Sequence, residues 1–131
     1  MDKGSLLIRG GTVITATGRS EADVLMRNGL IEAVGPDIGD GFGAVDRIID
    51  ATGHWVMPGG IDTHTHLAHP IGRLGVMTAD DFYTGTVAGA FGGVTTIVDF
   101  GLQEQGGTLD AAREHRLGVI DPDAVIDFGF H

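Results

Sequence analysis

Val94-Thr95-Thr96-Ile97-Val98-Asp99-Phe100 is a nearly unbroken apolar and β-branched run. Such a run has the composition of a strand buried on both faces, as the strands of a parallel sheet are. The residues on either side of it supply the crossovers that a parallel sheet needs. Upstream, Thr78-Ala79-Asp80-Asp81 predicts a helix start: a hydroxyl cap, then acids that suit the positive end of the helix dipole. Tyr83, Val87 and Phe91 follow at i, i+4 and i+8, with Phe82 and Ala90 beside them, as the apolar stripe of that helix. Gly85 and Gly89 each cost about 1 kcal/mol against alanine in a helix interior, and they offer room for close packing on a sheet. Gly92-Gly93 marks the C-terminal stop. Downstream, Thr108 is expected to cap a second helix through Leu117, and Ala124-Val125-Ile126-Asp127-Phe128 reads as a further strand. With Trp55–Ile61 as the first strand, interrupted by Pro58-Gly59-Gly60, the order becomes strand, helix, strand, helix, strand. That alternation predicts right-handed βαβ units and an α/β fold.

Ahead of residue 55 the texture differs. Leu6–Arg9, Thr12–Thr15, Ala22–Arg27, Leu30–Val34 and Val45–Asp50 are short β-like runs, with Gly10-Gly11 joining the first two. Asn28-Gly29 joins the next hairpin, since a type I′ turn needs positive φ at both central residues. Gly35-Pro36 ends it. Residues 1–54 are therefore expected to form an antiparallel meander and residues 55–131 a separate βαβαβ region. No self-similarity at a period of 20–50 residues points to a solenoid or propeller.

Composition bounds the function. Apolar residues make up 42% of 131, a globular share, and glycine is abundant at 23 residues without any Gly-X-Y period. Eighteen acids against eight bases give a net charge of −10, and no basic cluster stands out. Nucleic acid and anionic membrane surfaces are thereby poor partners. The chain has no cysteine, which excludes disulfides and thiolate metal sites. Leu6-Leu7-Ile8 is too short an apolar run for a signal peptide or a membrane span. The cytoplasm is the expected compartment.

The sharpest chemical feature is Gly60-Ile61-Asp62-Thr63-His64-Thr65-His66, at the end of the first expected parallel strand. Residues i and i+2 of an extended chain point to one face, so His64 and His66 would present their imidazoles together. Neutral imidazole ligates zinc and other divalent transition metals, and α/β proteins place their sites at the carboxyl ends of parallel strands. Two histidines alone are also compatible with a surface pair of no ligand role.

The neighbourhood of that pair is more specific. Val56-Met57-Pro58-Gly59-Gly60-Ile61-Asp62-Thr63-His64-Thr65-His66 resembles the PGxxDxHxH signature of the amidohydrolase superfamily. Thr78–Thr86 and Gly92–Phe100 narrow the resemblance to the dihydropyrimidinase and D-hydantoinase branch, the cyclic imidohydrolases. Ile8–Val13 and Ile49–Gly53 are similar to that family's opening strands. The resemblance implies a (β/α)8 TIM-type barrel, present here as its first three strands and two helices, preceded by part of a small β-sandwich. It implies two divalent metals, zinc foremost, bridged by a hydroxide that attacks the amide carbon of a small cyclic amide. His64 and His66 match the first-strand ligands of the more buried metal, and Leu67–Met77 matches a segment lining the substrate pocket.

The same family bridges its metals through a carboxylated lysine on a later strand. Lys3, the only lysine, precedes the first strand and cannot match it. The family's two further histidines and its late aspartate, metal ligand and proton acceptor, also lack counterparts, and His131 is assigned no ligand role. No catalytic residue is carried over. Asp99 and Asp127, near strand ends, are expected to be structural, and Asp62 either orients an imidazole or holds backbone. His69 is expected to be a loop histidine or to line a pocket, and His54 and His115 to lie on the surface. The sequence thus predicts a metal-dependent hydrolase opening hydantoin or dihydropyrimidine rings, carried here as an N-terminal portion without activity of its own. It is expected to self-associate, aggregate, or pair with a complementing C-terminal chain. The alternative is a non-enzymatic remnant or split-enzyme piece that binds metal weakly or associates with a partner.

Overall fold

The computed structural model describes residues 4–120 and 122–131, so Lys3 lies outside it. Backbone contacts separate Met1–Pro58 from Gly59–His131.

In the first unit, β1 (Ser5–Thr15), β2 (Gly18–Arg27) and β3 (Leu30–Gly35) form antiparallel neighbours. Asn28 and Gly29 have φ of 53° and 81°, the left-handed pair that the Asn-Gly turn requires. Gly10-Gly11 is no turn. The strand runs straight through it, the register shifts between Ile8 and Gly11, and the Gly10 N–H released from the ladder donates to the buried Asp23 carboxylate at 2.8 Å. The expected meander also stops short, because β4 (Arg47–Asp50) and β5 (Trp55–Val56) both run parallel to β1. Trp55-Val56, expected at the head of the first βαβ strand, is thereby drawn into this sheet opposite Thr12-Val13. Val13, Ala22 and Val24 form its core, flanked by Ile8, Met26 and Val56.

The second unit has the alternation the sequence predicts. Its parallel sheet has the order β10-β9-β6, from β6 (Gly60–Asp62), β9 (Val94–Asp99) and β10 (Asp127–Phe130). Helix α1 (Phe82–Phe91) joins the first two strands in sequence, and α2 (Leu109–Ile120) the last two. The three strands form an open sheet, with no closed barrel among the described residues. A small hairpin of β7 (Pro70–Ile71) and β8 (Val76–Met77) lies in the connection after β6. Among the described residues no helix is long and apolar enough to cross a membrane.

Three boundaries differ from expectation, each for a visible reason. Thr78 does not cap α1, because its N–H donates to the His69 carbonyl and its hydroxyl accepts the His69 N–H. Asp81 caps instead: its carboxylate accepts the Thr84 N–H at 2.7 Å while the Thr84 hydroxyl takes the Asp81 N–H, a reciprocal capping box. The buried face of α1 is Phe82 and Thr86, and Tyr83 and Phe91 of the expected stripe are 57% and 92% exposed. Thr108 caps α2 as expected, accepting the Ala111 N–H at 3.1 Å, and the helix continues to Ile120 because that side chain is fully buried with Phe82 and Ile97. Strand β10 begins only at Asp127, since the Val125 N–H is committed to the Thr86 hydroxyl at 3.1 Å. Gly85 meets the loop after β6 rather than a sheet: a Cβ there would stand 2.5 Å from Leu67 Cδ2.

Phe82→Ala should lower the stability of the second unit by about 3–5 kcal/mol, as for a large aromatic removed from a packed core. Phe91→Ala should stay within about 0.5 kcal/mol, and paired denaturant titrations measure both. Hydrogen bonds from the Thr84 backbone, then from its side chain, hold the Asp81 carboxyl below the ordinary carboxylate range. Its contribution is therefore complete above that range and is lost as pH falls through the depressed value. Thermal melts should show the wild type losing Tm relative to Asp81→Asn on acidification.

Candidate functional site

Strand β6 ends at Asp62, whose carboxylate accepts the His64 N–H at 3.1 Å. Asp62 thus holds backbone and makes no bond to an imidazole. The next residue, Thr65, remains tied to the sheet: its N–H donates to the Val98 carbonyl of β9 at 3.1 Å, and its hydroxyl reaches the same oxygen at 3.3 Å. His64 and His66 lie beyond the strand proper, yet the i, i+2 logic survives because Thr65 between them keeps strand-like pairing. Their Nε2 atoms converge to 3.2 Å.

Both rings rest on Phe100, the residue directly after β9. His66 stacks on it with centroids 4.7 Å apart and planes at 25°, and His64 lies at 4.7 Å with a 54° tilt. His131, directly after β10, approaches the same phenyl ring at 4.8 Å and donates from Nε2 to the Thr63 carbonyl at 2.8 Å. The pairing of Phe130 with Asp99 continues through the His131 N–H to the Asp99 carbonyl, which fixes His131 beside Phe100. His69 stands 5.0 Å from His66. Burial first, then the neighbouring His66 and Arg116, hold its imidazole below the ordinary value against the opposing pull of Asp99. The carboxyl ends of three parallel strands thus gather imidazoles around one aromatic ring.

Beneath this layer lies a buried ion pair. Asp99 is fully buried and Arg116 is 7% exposed. The Asp99 carboxylate accepts from Arg116 Nε at 3.2 Å and Nη2 at 2.8 Å, from the Phe100 N–H, and from the Leu67 N–H at 3.2 Å. Arg116 also donates from Nη2 and Nη1 to the carbonyls of Leu67 and Ala68, and its guanidinium lies 4.6 Å over the Phe82 ring. Asp99 is therefore structural, as expected.

Asp127, His54 and His115 are exposed. Sequence reasoning missed Phe100, Arg116 and the placement of His131. Arg116 carried a readable signal, sitting between Ala112 and Ile120 at i±4 on what becomes the inner face of α2. Phe100 and His131 become visible only once the register of β9 and β10 is known.

The His64–His66 geometry can be tested against a metal. Two nitrogens each about 2.0–2.1 Å from a tetrahedral zinc would stand about 3.3–3.4 Å apart, close to the 3.2 Å found. The pair fits two corners of such a site. Among the described residues no group of three or more histidines, cysteines or carboxylates could hold an ion.

A D-hydantoinase of Geobacillus stearothermophilus is 50% identical over 125 residues, covering 95% of this chain and 26% of the relative. A dihydropyrimidinase of Rattus norvegicus is 42% identical over 129 residues, covering 96% of the chain and 24% of the relative. The crystal structure of a D-hydantoinase from Bacillus sp. AR9 superposes with a TM-score of 0.86 at 50% identity, over 96% of this chain and 26% of that one. The chain is homologous to the N-terminal part of D-hydantoinases and dihydropyrimidinases. It spans about a quarter of the length of these hydantoinase relatives. No protein-family model matches it.

Asp99→Ala should destabilise the second unit by about 3–5 kcal/mol, the cost of leaving a buried guanidinium uncompensated. Denaturant unfolding followed by far-UV circular dichroism measures it.

Proposed function

We propose that this chain carries the first ligand pair of a metal-dependent hydrolase that opens small cyclic amides, hydantoins or dihydropyrimidines. The observation that carries the reading is the 3.2 Å convergence of His64 and His66 at the carboxyl end of a parallel sheet, in a chain homologous to proteins named for that activity. On this reading the three strands and two helices of Gly59–His131 open a (β/α)8 barrel, and the first unit contributes part of a β-sandwich. His64 and His66 would hold the ion through Nε2, and imidazole donors suit zinc among other divalent transition metals. A divalent ion held there supplies Lewis acidity and brings the pKa of water down to about 7.

The chain's own residues position and shield. Asp62 and His131 hold the N–H and the carbonyl of the single Thr63–His64 peptide, Phe100 closes one side of both imidazoles, and the Asp99–Arg116 pair supports the loop that follows. The described residues include no counterpart of the family's late-strand aspartate, its proton acceptor, and no lysine positioned to bridge a second metal. The remaining ligands would come from residues beyond these 131 or from a complementing chain.

Zinc should bind this chain weakly, through two protein ligands, and His64→Ala should abolish the binding. Equal zinc affinities for wild type and variant, measured by competition with a chromogenic chelator, would refute the assignment. The 131-residue chain alone should show no measurable ring opening of hydantoin or dihydrouracil. Chelator-sensitive turnover by the purified chain would overturn that second part.

A further inference from the structure

We propose that the Asp99–Arg116 pair is the positioning device for the His66 imidazole, a role distinct from holding the core together. The inference rests on the metal-ligand reading of His64 and His66 for its functional meaning, and on the local geometry for its substance. Between His66 and the β7–β8 hairpin the chain turns sharply: Leu67 and Ala68 form a turn, with Ala68 at a left-handed φ of 45°. A turn of this kind, half-buried against α1, leaves backbone groups that neither sheet nor helix can satisfy, and each must find a partner.

The ion pair supplies those partners from both signs of charge. The Leu67 N–H donates to Asp99 Oδ2, while the Leu67 and Ala68 carbonyls accept from the two terminal nitrogens of Arg116. The Thr65 hydroxyl stands 3.4 Å from the same Asp99 oxygen. Residues on both sides of His66 are therefore tied to one rigid carboxylate–guanidinium unit, itself anchored on β9 and α2. Asp99 also accepts the N–H of Phe100, the residue on which His66 stacks. One buried carboxylate thus sets both the backbone that carries the imidazole and the surface against which the ring lies. Charge compensation alone would need one contact. Arg116 makes four, to three acceptor groups, a use for which the planar fork of arginine is suited and the point charge of lysine is not.

Arg116→Lys separates the two roles, because it keeps a cation for Asp99 and removes the fork. The chain would be labelled with 13C in histidine side chains and isoleucine methyls and observed by NMR at low micromolar concentration. The Ile97 and Ile120 methyls report the core, and the His66 Cε1–H reports stacking on Phe100 through its ring-current shift. We expect the isoleucine signals to persist while the His66 signal moves toward the shift of an unstacked imidazole. In parallel, zinc affinity should fall about 10–100-fold, the usual penalty for removing a group that orients a ligand. An unmoved His66 signal in a folded variant would overturn the proposal. So would a zinc affinity within twofold of wild type, in a chain whose binding His64→Ala abolishes. If the chain binds no zinc through His64, the metal reading fails by itself and the ring signal alone decides the positioning role. Should Arg116→Lys lose its core signals, Asp99→Asn is measured in the same way, and loss of the core in both variants would overturn the proposal by showing that the pair has no positioning role separable from its support of the fold.

Discussion

The second unit depends on a carboxylate and a guanidinium placed where water cannot reach them. Removing Asp99 and Arg116 from solvent is costly, and their mutual attraction alone does not offset it. The arrangement is stable because each ion also completes hydrogen bonds that the backbone requires. Asp99 accepts N–H groups from two segments, and Arg116 supplies donors to two carbonyls of a turn that has no ladder to join. The pair thus connects the strand at the centre of the sheet, the helix that follows it, and the segment that precedes the other helix. Phe82, beneath the guanidinium, connects it in turn to the apolar core.

Parallel sheet geometry then determines what can meet above this base. Strands running in one direction bring their exits to one edge, so residues far apart in sequence become neighbours once the register is set. Thr63, Phe100 and His131 adjoin for this reason alone. The chain's homology to about a quarter of D-hydantoinases and dihydropyrimidinases extends over nearly all of its length.

Local patterns in the sequence made several of these features legible. Asn28-Gly29 dictates its own turn, Val94–Asp99 forms the parallel strand its β-branched run predicts, though only Ile97 and Asp99 are buried and Thr95 is exposed, and the i, i+2 spacing places two imidazoles side by side. What failed was competition between equally good local signals. Thr78 and Asp81 are both fit to cap a helix, and only the bonds between Thr78 and His69 decide which one does. Tyr83, Val87 and Phe91 form as regular a stripe as Phe82 and Thr86, and the choice of face comes from what the sheet and α2 offer to fill. Gly10-Gly11 has the composition of a turn, but the ladder continues through it because Asp23 accepts the freed N–H. Arg116 was hidden by the rule that charged residues face water, a rule that lapses when the partner is buried as well.

The single hydroxyl of Thr86 links two elements that share no ladder. It donates to the Phe82 carbonyl one turn earlier in α1 and accepts the Val125 N–H ahead of β10. The segment leading into β10 is an irregular stretch, of the kind that ordinarily opens and closes independently of the elements around it. Here its anchoring amide is bound to an oxygen whose position exists only while α1 is wound. Opening of that stretch removes a hydrogen bond from α1, and fraying of α1 removes one from the stretch, so each stabilises the other by about 1 kcal/mol across 39 residues of chain.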